Sequence, residues 1–491
     1  MSKYPGRYRA VREQLVAISR MSPRTLLLAT VLALSAAAAG VGFVLAQYYS
    51  VDVLSSMVYI PDDCWVDWGI KAGRHCFSDY AWQMSAAMQP NPWNFGPAHW
   101  PPNPYPAAAM VPHFVFGLLG TLLGSPRFGL LAYLVALTVA VLTPAIWAAR
   151  GARGLERIVV FLACGALAMP AWFAVDRGNS VGFVVPIALV FLIALRRERW
   201  GLVALMVVLA ALVKPQFAAL AFALFAARQW RLGGAAVGGV ALSNLAAYLF
   251  WPRDFPGTIM QSLHNASGYG VFSERVAYGN VSFAKGVLLL PDAIKAQTVG
   301  GRIPDGFLAG PRNYIGYAVL IIVVLAVLLL GRRISPVMVG ILLLPAASLW
   351  PAVTFRYYLV FALPIAALVA RDPNGPPGTG IFDSLRERRR AVGLCVSLAT
   401  ALSIAYIVAP GAPIPILAPI HPGTFDSART VTVSATTVML TPILWLIVCA
   451  VILVSYARRP DTGAQAEDPP TGAPAEKPAL GAEAMATNAF Q

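Results

Sequence analysis

Four aspartates, Asp62, Asp63, Asp67 and Asp79, stand in the stretch that follows the first long apolar run of the chain. Asp63 and Asp67 are four residues apart, so a short helix starting near Pro61 or Asp62 puts both carboxylates on one face. Like charges held that close raise the proton affinity of one member, which suits a general base. The same residues also fit a plainer arrangement, with Asp62 capping the helix and Asp67 pairing with Lys71. Other polar groups punctuate later apolar runs: Arg177 and Asn179 beside Gly178, Lys214 before Pro215, His264, Asn280 in Gly-Asn-Val-Ser, and Arg356 followed by Tyr357 and Tyr358. Convergence of Arg177, Lys214, His264 and Arg356 would suit a phosphate that stays in the membrane plane. Taken singly, each basic residue also fits a side chain snorkelling to the interface. Trp65, with Trp68, Trp82, Trp93 and Trp100, offers flat faces for a sugar or forms an interfacial aromatic belt.

The elements that must position these residues are apolar helices. Of 491 residues 58% are hydrophobic and only 12% charged, and the mean hydropathy is +0.66. Apolar runs recur along the whole length, which excludes a soluble globular protein and implies an all-α polytopic membrane protein. The net charge of +15 does not indicate a nucleic-acid partner, because the basic residues cluster at the ends of apolar runs. Placing those clusters on the cytoplasmic side gives about twelve crossings with both termini inside. Residues 1–24 form a cytoplasmic N-terminus, 25–47 the first crossing and 25–457 the membrane domain. Segment 106–124 is broken by Pro112 and is expected as a juxtamembrane or re-entrant helix. Two long external loops, 48–127 and 252–313, are expected, and the polar groups singled out above all fall at the external face. Residues 458–491, rich in Ala, Pro, Gly and Glu, are expected as a disordered cytoplasmic tail.

Of the five cysteines, Cys164, Cys395 and Cys449 fall in crossings as packing residues. Cys64 and Cys76 share the first external loop, where a disulfide would pin the acidic segment, stabilising it by about 3 kcal/mol. No Walker loop, dinucleotide fingerprint, zinc-ligand spacing or serine elbow is present, so neither cofactor nor metal is expected.

The order of these elements carries a resemblance. An acidic first loop is followed by Asn103-Pro104-Tyr105-Pro106, Arg177-Gly178-Asn179, Lys214-Pro215, Asn280-Val281-Ser282 and a late Trp350-Pro351 and Arg356-Tyr357-Tyr358 group. Over residues 62–370 this resembles the actinobacterial polytopic mannosyl- and arabinosyltransferases of the GT-C class. The resemblance implies a plasma-membrane enzyme facing outward that takes mannose or arabinofuranose from a polyprenyl-phosphate carrier and passes it to an envelope glycan or glycolipid. An aspartate of the first external loop would be the base, a role Asp63 matches best, with Asp67 its rival. Arg356, Lys214, Arg177 and His264 would then hold the donor phosphate, and Asn179, Asn280, Tyr357 and Trp65 the substrates. The sequence departs from the family where its usual Gly-Gln-x-Asn appears as Arg177-Gly178-Asn179, and where a late acidic-His pair is replaced by Phe355-Arg356. A transporter or flippase of lipid-linked envelope precursors is the alternative. Against it stand the lack of an internal repeat and the gathering of polar groups at one face.

Overall fold

The computed structural model describes residues 21–48, 77–94, 103–270, 272–277, 279–300, 303–371, 381–382, 385, 388–421, 424–435 and 437–458. The first half comprises α1 (Pro23–Tyr48), α2 (Ser78–Ala87), α3 (Ala107–Leu122), α4 (Pro126–Ala149), α5 (Gly154–Phe161), α6 (Met169–Arg177), α7 (Val184–Arg196), α8 (Trp200–Val213), α9 (Phe222–Ala226) and α10 (Trp230–Ala247). The second half comprises α11 (Gly257–Ser267), α12 (Phe272–Val276), α13 (Phe283–Val287), α14 (Leu289–Thr298), α15 (Ala309–Leu330), α16 (Pro336–Leu349), α17 (Ala362–Arg371), α18 (Arg389–Ile404) and α19 (Thr441–Ala457). Between α18 and α19 an antiparallel ribbon pairs Val408–His421 with Thr424–Ala435. Several helix starts are written locally. Ser125 accepts from the Arg127 N–H with Pro126 opening α4, and Pro336 opens α16, because proline's fixed φ suits a first turn whose N–H groups lack helical partners.

Five helices are long and apolar enough to cross a membrane: α1, α4, α10 and α15 with their short extensions, and α19. A sixth is added if Gly154–Ala166 and Met169–Arg177, bent by 46°, form one broken span. These six coincide with six of the crossings expected from the sequence. The other six expected crossings fall on shorter helices, so the structure supports a membrane protein without establishing twelve spans. The reason is visible in α16, where every residue from Val337 to Leu349 is buried. A helix of its length rises only about 21 Å against a hydrocarbon layer of about 30 Å. Apolar on all sides and surrounded by protein, it is the centre of the bundle. α17 is likewise buried from Ala362 to Ala370. α3, at 16 residues, is also short of the roughly 20 needed to cross.

Around this centre the main core joins α1, α4–α10, α13 and α15–α19. A second cluster packs Trp93, Met110, Tyr248 and Trp251, and a third packs Tyr80, Leu130, Tyr133 and Leu137. These two smaller clusters fix α2 and the start of α3 against the bundle. Cys164, Cys395 and Cys449 are free thiols.

Candidate functional site

The polar site forms where helices are interrupted. α6 ends at Arg177, and Gly178 takes a left-handed φ of 63°. That conformation turns the chain so that the Asn179 N–H reaches the Ala174 carbonyl at 2.8 Å. A Cβ on Gly178 would stand 2.6 Å from the Tyr80 Cβ, so both backbone angle and space demand glycine here. Asn179 then caps the following turn, its Oδ1 accepting from the Val181 N–H at 2.9 Å. Lys214 occupies a similar break: α8 stops at Val213, Lys214 is extended, and Pro215 opens a new 3-10 turn. A third short turn, Arg356–Phe361, delivers Arg356, Tyr357 and Tyr358.

These breaks converge on Asp79, in the first turn of α2. Arg177 Nη2 donates to Asp79 Oδ1 at 2.9 Å, and Asn179 Nδ2 donates to Oδ2 at 2.6 Å. Burial pushes this carboxyl upward, but the charge and hydrogen bond of Arg177, the Asn179 amide and the charge of Lys214 outweigh it and hold the group below its ordinary 3.8. Asp79 is therefore a fixed anion.

Lys214 is 1% exposed. Its Nζ donates to the Tyr105 hydroxyl at 2.8 Å and lies 4.2 Å from the centre of that ring and 5.9 Å from that of Tyr358. No carboxylate among the described residues forms an ion pair with it. Burial raises the Tyr105 phenol well above its usual range, and the neighbouring Tyr358 and Asp79 add to this. Tyr105 thus stays protonated, accepting from Lys214 while keeping its own O–H to donate onward. Trp93 sets the position of Tyr105, its indole N–H donating to the Tyr105 carbonyl at 2.8 Å. Asn265 clamps the same loop by donating to the Trp93 and Asn103 carbonyls at 3.0 and 3.1 Å.

Arg177 lies 5.9 Å from the Phe355 ring centre and 5.8 Å from that of Tyr357. Arg356, in the same turn as Tyr357, faces the Phe173 ring at 4.9 Å. No carboxylate among the described residues pairs with Arg356. Arg177, Lys214 and Arg356 thus stand close to Asp79 in a setting of aromatic rings, with the buried Asp176 adjoining Arg177, and basic groups so placed are suited to a phosphate-bearing ligand.

The sequence reading is met unevenly. Arg177, Asn179 and Lys214 gather about Asp79, and the turn carrying Arg356, Tyr357 and Tyr358 packs beside them. His264 is exposed on α11, where the neighbouring Asn265 makes the inward contact. Asn280 is fully buried and its amide is consumed by backbone. It donates to the Arg275 and Ala352 carbonyls at 3.0 and 2.9 Å and accepts from the Ser282 and Thr354 N–H groups at 2.9 and 3.1 Å. This leaves no valence for a substrate, so Asn280 positions the segment leading to Arg356. Asp63, Asp67, Trp65, Cys64 and Cys76 lie outside the described residues. Asp79, Tyr105 and Tyr358 stand in the motifs named above, but their spacing in the sequence assigned none of them a role in the site. Among the described residues no group of three or more His, Cys, Asp or Glu side chains is arranged to hold a metal ion. The chain matches no protein-family model and none of the curated proteins.

Proposed function

We propose that the chain is a membrane glycosyltransferase that transfers a mannosyl or arabinofuranosyl group from a polyprenyl-phosphate carrier to an envelope glycan or glycolipid at the external face of the plasma membrane. The observation that carries this reading is Lys214, a buried lysine whose Nζ has, among the described residues, the neutral Tyr105 hydroxyl as its hydrogen-bond partner. Leaving a cation in the interior without an anion is costly, and a ligand phosphate would supply the missing charge. Arg356, lacking a carboxylate partner among the described residues, supplies a second contact. Arg177 is oriented by Asp79 and contributes through its field.

In this reaction Asp63, or Asp67 in its place, takes the proton of an acceptor hydroxyl as the hydroxyl oxygen bonds to the anomeric carbon. The bond from that carbon to the phosphate oxygen breaks, and polyprenyl phosphate leaves with the electron pair, inverting the centre. Negative charge grows on the departing oxygen, where Lys214, Arg356 and the Tyr105 O–H lower the barrier electrostatically.

Membranes containing the protein, supplied in separate reactions with radiolabelled polyprenyl-phosphate mannose and arabinofuranose together with a glycan acceptor, should form labelled glycan with one of them. Asp63→Ala should abolish product while the protein still inserts, with a milder loss in Asp67→Ala. Movement of the labelled lipid across the bilayer without any glycan product would favour the transporter instead.

A further inference from the structure

A second ligand-sized feature lies at the opposite ends of the helices that carry the site. From Lys214 the chain runs through the turn Pro215–Ala221 and α9 to Arg228, a rise of about 20 Å. α15 likewise runs from Ala309 to Leu330 and ends at Arg332 and Arg333. Between these ends opens a cavity of about 760 Å³ lined by Phe222, Phe225, Trp230, Leu328 and Leu329, with Arg228, Arg332 and Arg333 at its edge. The two ends meet where Gly331 lies beside Ala226, a Cβ there standing in ordinary contact, 3.8 Å, with the Ala226 carbonyl oxygen.

We infer that this cavity binds an anionic phospholipid, its phosphate held by the arginines and its acyl chains lying on the apolar wall. Two independent features point to that occupant. Leu329 and Trp230 are 86% and 63% exposed on helices long and apolar enough to span a bilayer, so the wall opens toward hydrocarbon. The charged edge is of one sign, and neither Arg228 nor Arg332 forms an ion pair with a carboxylate among the described residues. A basic edge above an apolar wall between membrane helices is the chemistry that selects anionic headgroups. Arg228 also holds a left-handed φ of 59°, a conformation that favours glycine, so the turn carries a guanidinium where local geometry alone would not choose one.

The test is native mass spectrometry of the full-length protein extracted from vesicles of phosphatidylcholine containing phosphatidylglycerol. Wild type should retain phosphatidylglycerol in preference to phosphatidylcholine. Arg228→Gly keeps a residue suited to the backbone angle, and with Arg332→Gln it should lower that preference about fivefold per arginine removed. Leu329→Gln, at an exposed position, should weaken retention of both lipids while leaving the thermal melt unchanged. Equal retention of the two lipids by wild type would overturn the assignment. So would unchanged phosphatidylglycerol retention in the double arginine variant, or displacement of the lipid by glycerol phosphate at equal concentration.

Discussion

The Lys214 ammonium donates to the Tyr105 hydroxyl at 2.8 Å across 109 residues of chain, both side chains sunk among aromatic rings. A salt-bridged lysine would be part of the scaffold, and its loss would destabilise the fold. A buried lysine facing a phenol is the reverse case, because removing the charge also removes its desolvation cost. Lys214→Met should therefore melt no lower than wild type while glycosyl transfer falls by about 100-fold or more. Parallel melting curves and transfer rates check both halves. A fall in melting temperature with transfer intact would return Lys214 to the scaffold.

Asp79 and Arg177 make the opposite pair, an ion pair that holds α2 to the end of α6. Removing either partner leaves the other poorly solvated, so Asp79→Asn and Arg177→Met should each destabilise by about 2 kcal/mol, and the double variant should recover about 1 kcal/mol or more of the sum. The carboxyl is held below its ordinary 3.8, so folding favours its ionised form. Its stabilising contribution is complete at pH values above that ordinary value and is lost as pH falls through the depressed one. Acid unfolding followed by circular dichroism should show a component below about pH 4 in wild type that is missing from Asp79→Asn.

How much of this could be read from the chain alone differs by feature. The breaks were legible because they are local: Lys214-Pro215 interrupts an apolar run, and Arg177-Gly178-Asn179 places a turn-forming glycine between polar residues. Asp79 was not, since its partner Arg177 lies 98 residues away and no short-range spacing marks the pair. Asp63 and Asp67, by contrast, stand at a helical interval that a sequence displays. The division of apolar helices into crossings and core was also hidden. Pro336–Leu349 and 318–330 are both continuous apolar runs, and the sequence does not display which is buried on every side and which turns Leu329 outward. Asn280 appeared polar and available because a sequence displays its amide but not the four backbone groups that consume it.

Gly178 tests the geometry of the site without altering a charge. Alanine there adds a Cβ 2.6 Å from the Tyr80 Cβ at a φ of 63°, and the Gly178 carbonyl accepts the Tyr133 hydroxyl at 3.0 Å. Strain and clash together should cost about 2 kcal/mol or more. Because Arg177 and Asn179 flank the turn, transfer should fall even in protein that remains folded. Kinetics measured on the folded fraction after size-exclusion chromatography would separate the two effects, and a wild-type rate there would detach this turn from the site.

Asn280 poses the same question for Arg356. The Val281 N–H donates to the Thr354 carbonyl at 2.7 Å, and the Asn280 amide closes around the same strand-like bridge to Phe355. The Arg356 guanidinium lies beside Gly279, where a Cβ would meet its Nε at 3.5 Å. Asn280→Ala strands two buried N–H groups and two carbonyls and should destabilise by about 3 kcal/mol. Asn280→Asp keeps the acceptor oxygen but loses the two amide N–H donors, turning their carbonyl partners toward an anion, and should be no better. If Asn280 instead contacted the sugar directly, both variants would fold normally and show a raised KM, an outcome that thermal melts and donor titrations would reveal together.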